Sequence, residues 1–151
     1  MQESVNIFEA APIEGRIDIG ELAGSDETSA YVYDIDPGAA SCPYHYEYVE
    51  EWLLVVSGEA AVRTPDGERS VSAGQLVRFP AGAAGAHKIA NRGEVPCRVL
   101  MFSARRAPAV SVYPDSDKIG IWPSEDGADD GFFVRDTAVS WAHGEDDWYK
   151  A

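Results

Sequence analysis

The feature that most constrains this chain is the near absence of helical periodicity. In its place come short runs rich in Val, Ile, Tyr and Phe, each closed by Gly, Pro or Asp. The runs predict strands over 15–22, 29–36, 44–56, 60–64, 75–79, 86–90 and 96–103. Between two of them lies Thr64-Pro65-Asp66-Gly67-Glu68. There Pro presets one turn angle and Gly tolerates positive φ, so the segment predicts a hairpin. Many short strands with a turn signal roughly every ten residues describe an all-β chain: a sandwich, a jelly roll or a small barrel.

At 151 residues and 45% apolar, the chain suits one ordinary domain with a real core. The net charge of −14 repels phosphate backbones and anionic lipid heads, which argues against nucleic-acid binding and membrane docking. The longest apolar run of the central region, 52–56, is far too short to span a bilayer. The first residues show neither a basic start nor a long apolar stretch, so no secretory signal is expected. Cys42 and Cys97 form neither a disulfide framework nor a zinc-type pair. A reducing, cytoplasmic setting is the expectation. The strands predict a body over 1–114. The remainder, 115–151, carries ten acidic and three basic residues. Its aromatics, Trp122, Phe132, Phe133, Trp141, Trp148 and Tyr149, offer area worth burying. We expect an extension packed on the body or on a partner subunit, within one domain overall.

Chemistry concentrates in the segment 44–56, Tyr-His-Tyr-Glu-Tyr-Val-Glu-Glu-Trp-Leu-Leu-Val-Val. In an extended strand His45, Glu47, Glu51, Leu53 and Val55 share one face. Metal-ligand types followed by aliphatics describe a polar pocket grading into a packed floor. A surface ion pair of His with Glu is the other reading of the same residues. His87 follows a strand and a Pro/Gly-rich turn, near the start of a new strand. His143, in the acidic tail, reads as a solvated surface group.

These residues resemble the cupin superfamily. The stretch from Gly38 to Gly58 is similar to the first cupin motif, G-x5-H-x-H-x3-E-x6-G, with one extra residue before His45 and Glu47 in place of the second histidine. Glu51 and Gly58 fall in register. Gly74, Pro80, Gly82, His87 and Asn91 match the second motif, G-x5-P-x-G-x2-H-x3-N, with two extra residues before the histidine. The resemblance covers roughly residues 31–103 and is nearest to small single-domain bacterial cupins. It implies an antiparallel jelly roll (double-stranded β-helix), one divalent metal inside it, and homodimers. His45, Glu47, Glu51 and His87 are then the candidate metal ligands. Imidazole and carboxylate suit Fe, Mn, Ni or Zn. Without metal, close carboxylates in a low-dielectric site push one pKa upward. The rival arrangement is a triad of His45, Glu51 and His87, with Glu47 left as a catalytic base.

Asn91 is expected in a structural turn or behind the site. Cys42 is expected to be buried or inert, since nothing basic flanks it. Tyr31, Tyr33 and Arg78 could line the cavity or pack elsewhere. The functional expectation is a metal-binding protein that binds or transforms a small molecule, the metal serving as Lewis acid or oxygen-activating centre. Dioxygenase, isomerase and lyase chemistry are all open, because the fold hosts many reactions. The alternatives are a non-catalytic binding or sensing module and a purely structural metal.

Overall fold

The computed structural model of the chain describes residues 4–10, 12–13, 15–124 and 127–144. In chain order the elements are β1 (Arg16–Asp18), α1 (Ile19–Leu22), β2 (Thr28–Ile35), β3 (Tyr46–Glu47), β4 (Glu51–Ser57) and β5 (Glu59–Thr64). There follow β6 (Gly67–Ser72), β7 (Leu76–Phe79), β8 (Lys88–Ala90), β9 (Cys97–Ala104), β10 (Ala109–Tyr113), β11 (Lys118–Trp122) and β12 (Gly131–Val134). The fold is all-β and its pairings are antiparallel. One sheet runs β1-β2-β9-β4-β7, a second β12-β11-β10-β3 and a third β6-β5-β8.

The core forms where period-2 strands of the first and third sheets face each other. In β9, Cys97, Val99 and Met101 are buried while Arg98 and Leu100 are less so. Leu53 and Val55 of β4, Val77 and Phe79 of β7, Val62 of β5 and Ile89 of β8 join them in one cluster. Alternation of this kind is what a sheet with one buried face requires. The β5–β6 hairpin closes as expected at Thr64-Pro65-Asp66-Gly67, with Gly67 at a φ of 121°.

Two sequence expectations change. The predicted strand 15–22 stops at Asp18, whose side chain accepts the Glu21 N–H at 2.9 Å and caps the single turn of α1. The predicted strand 44–56 is broken. Tyr46 and Glu47 pair with β10, whereas Glu51 onward pairs with β9 and β7, and the bend at Tyr48 and Val49 carries the chain between two sheets. β6 escaped the sequence reading because its residues, GERSVS, bury only Val71. β10, β11 and β12 also lay outside the predicted strands. The β10–β11 hairpin continues one sheet across residue 114. Phe132 touches Trp122 and Tyr113 with its ring yet stays exposed, as do Phe133 and Trp141. Trp148 and Tyr149 lie outside the described residues.

Asn91 ties the loops around the site. Its side-chain amide donates to the Ile35 and Val95 carbonyls at 2.8 and 2.7 Å, and its oxygen accepts the Gly93 N–H at 2.9 Å. The residue is 1% exposed, so no water replaces these bonds. Asn91→Ala is therefore expected to lower the unfolding free energy by about 2–4 kcal/mol, measured by urea denaturation. A loss below about 0.5 kcal/mol, the size of a neutral surface change, would show that other contacts hold these loops.

Candidate metal centre

Two histidines are brought together by the backbone. His45 and His87 form an isolated antiparallel bridge: the His45 N–H donates to the His87 carbonyl at 3.0 Å and the His87 N–H to the His45 carbonyl at 2.8 Å. Their rings then lie 4.8 Å apart. Residues 83–85, within the stretch that is longer than the motif, form a 3-10 turn that packs against Pro80. A Cβ at Gly85 would stand 1.7 Å from the Pro80 oxygen, so only glycine lets the turn close. Below His87 the Phe79 ring stacks at 3.8 Å and 12°.

The same turns fix the tautomers. A carbonyl can only accept, so the Gly85 carbonyl 2.9 Å from His87 Nδ1 and the Pro43 carbonyl 3.0 Å from His45 Nδ1 place a hydrogen on each Nδ1. Each ring, when neutral, then presents a lone pair on Nε2. His87 Nε2 is fully buried and has no hydrogen-bond partner. Glu51 Oε2 stands 3.8 Å from it. Ligand atoms of His45, Glu51 and His87 all lie within 4.8 Å of one another.

Electrostatics separates the members. Burial pulls His87 down to about 4, so at neutral pH its contact with Glu51 is no ion pair despite the short distance. Burial, then the Glu47 charge, lifts Glu51 to about 7, the upward push expected of neighbouring carboxylates. Burial opposes charge on His45, but the Cys42 sulfur 3.6 Å from Nδ1, the Glu51 carboxylate and the Pro43 carbonyl outweigh it and raise the group to about 9. The three residues offer two imidazoles and a carboxylate around a buried, unsatisfied lone pair. That donor set fits a divalent transition ion.

Glu47 lines the same cavity, of about 360 Å³, but stands outside the three-residue cluster. It sits on β3 rather than β4, and Ser111 Oγ donates to its Oε1 at 2.7 Å. The unbroken strand that placed it beside His45 and Glu51 does not exist, yet its side chain still reaches their cavity. Tyr31, Tyr33 and Cys42 line it too, whereas Arg78 points outward and pairs with Glu50 at 2.6 Å. Cys42 is half-buried rather than buried. His143 is exposed, as expected. Sequence reasoning missed Ser111 and Tyr113, which stacks on His45 at 5.8 Å. Both lie in β10, and no motif marks them.

Comparison with known proteins agrees with this geometry. The Cupin domain family matches residues 31–103, and the chain belongs to the cupin superfamily. A sugar phosphate isomerase of the cupin superfamily from Silicibacter pomeroyi is 25% identical with a TM-score of 0.75, covering 83% of this chain and 80% of that one. A sugar phosphate isomerase candidate from Acidithiobacillus ferrooxidans is 24% identical with a TM-score of 0.73, covering 82% and 78%. The polyketide cyclase RemF from Streptomyces resistomycificus is 20% identical with a TM-score of 0.61, covering 72% and 84%, which shows the shared fold. Among curated proteins no match is found.

If an ion enters this cluster, it displaces protons held by Glu51 and His45, so its affinity rises with pH through about 7 and on toward about 9. Below those values the loss is about tenfold per pH unit for each proton displaced. His87, neutral above about 4, adds nothing in that range. Co²⁺ titration followed by visible absorption at several pH values measures this. A flat profile, or stoichiometric binding by the His45→Ala, His87→Ala double variant, contradicts the assignment.

Proposed function

We propose that His45, Glu51 and His87 hold one divalent transition ion, Fe, Mn, Ni or Zn, and that the protein rearranges a small, oxygen-rich molecule beside it by non-redox, isomerase-type chemistry. The observation that carries this reading is the buried, partnerless Nε2 of His87, 3.8 Å from Glu51. A dry imidazole nitrogen costs free energy that a shared cation recovers. When bound, such an ion supplies Lewis-acid polarisation of a carbonyl or hydroxyl. Glu47 is the group suited to moving a proton between ligand atoms, with Ser111 holding its carboxylate in place. Tyr33, which burial pushes up to about 12, keeps its phenolic hydrogen at neutral pH and offers it to a ligand oxygen. The likeness to the Silicibacter pomeroyi isomerase favours isomerisation over oxygen activation.

Two measurements test this. Proton NMR of a panel of aldoses, ketoses and their phosphates with metal-loaded protein should reveal interconversion of one pair. Binding without turnover of any pair would favour a sensing module instead. Glu47→Gln should leave metal affinity within about twofold while lowering turnover by about 10²–10⁴, the usual share of a general base. A large fall in metal affinity would instead make Glu47 a fourth ligand.

A homodimer belongs to the same reading. β12 is a sheet edge, and Phe132, Phe133 and Val134 on it are exposed. Edge strands that carry apolar side chains are normally covered. Sedimentation velocity at micromolar concentration should show a two-chain particle, and a monomer would remove this element.

A further inference from the structure

Arg16 opens β1, opposite Tyr33. Among the described residues it is the one arginine or lysine lining the cavity that holds His45, Glu51 and His87. It also lines the neighbouring cavity of about 840 Å³, and so stands at the junction of the two. Its guanidinium lies 4.9 Å above the Tyr31 ring and beside the Tyr33 phenol. Stacking of this kind fixes the plane of the guanidinium while leaving its edge donors available.

What Arg16 lacks is as informative. Arg63, Arg78, Arg92, Arg98 and Arg135 are each paired with a carboxylate. No carboxylate of the described residues lies within ion-pair distance of Arg16. Arg69, Arg105 and Arg106 lack such a carboxylate too, but of these unpaired arginines Arg16 alone lines the cavity that contains Glu47 and Glu51. The same carboxylates repel anions, so an anionic ligand needs a dedicated cation to enter. The planar fork of arginine matches phosphate oxygens two at a time.

We propose that Arg16 is the anion anchor of the site, gripping a phosphate group of a ligand whose other oxygens reach the His45–Glu51–His87 end, with the Tyr33 hydroxyl as a second donor. The proposal rests on the metal-site reading above for the far end of the ligand, but Arg16 and the metal centre are tested separately. D-ribose 5-phosphate and D-ribose are titrated calorimetrically into wild type, Arg16→Gln and Arg16→Lys, each metal-free and Mn²⁺-loaded. Mn²⁺ binding is measured on its own by electron paramagnetic resonance. Wild type should prefer the phosphorylated sugar by about tenfold or more. Arg16→Gln should abolish that preference, and Arg16→Lys should keep part of it, because it keeps the charge and loses the fork. Mn²⁺ affinity should be unchanged in both variants. Wild type without a preference in either form, or Arg16→Gln that retains one, overturns the proposal. If Mn²⁺ does not bind but an Arg16-dependent preference persists in the metal-free protein, the anion anchor stands and the metal reading falls.

Discussion

The backbone bridge between His45 and His87 is the contact on which the site depends. Two hydrogen bonds, at 2.8 and 3.0 Å, clamp a residue between sheets against one that follows a tight turn. Because the clamp is main chain to main chain, it sets the ring positions without using the rings. The imidazoles remain available for chemistry. Their Nδ1 atoms are occupied by carbonyls two residues back in each case, so both Nε2 atoms are directed by local geometry. Arrangement by backbone gives precision that loose side-chain contacts do not.

Burial and neighbouring charges push the members of the centre in different directions. His87 is held neutral by burial and stacked on Phe79, while Glu51 is driven toward protonation by burial and by Glu47. His45 is pulled the other way by Cys42 and Glu51, against its own burial. The surrounding fold holds these groups by packing, and the Leu53, Val55, Phe79 and Ile89 core directly beneath supplies that constraint.

Straps complete the frame. Arg98 on β9 pairs with Asp34 of β2 and donates to the Ile7 carbonyl at 2.9 Å, which ties the N-terminal segment to the five-stranded sheet. Arg63 reaches Asp115 and lies 3.9 Å over the Tyr44 ring, which fixes the residue before His45 against the turn after β10. Both arginines act across long sequence separations.

Local pattern determined much of this protein. Alternation in 29–36, 60–64, 75–79 and 96–103 announced the strands of the core, and Thr64-Pro65-Asp66-Gly67 announced its hairpin, because these depend on neighbours within a few residues. The spacing of His45, Glu51 and His87 within two motifs was equally legible. Tertiary structure decided the rest. The break in 44–56 follows from pairing with β10 on one side and β9 on the other, which no local pattern encodes. The polar strand β6 is held by its partner rather than by its own apolar face. Ser111 meets Glu47, and Arg16 meets the cavity, across 64 and 29 positions of chain measured to Glu47 and His45 (111 − 47 and 45 − 16). Contacts of such range arise only when whole sheets pack, so the composition of the centre was readable in the sequence and its surroundings were not.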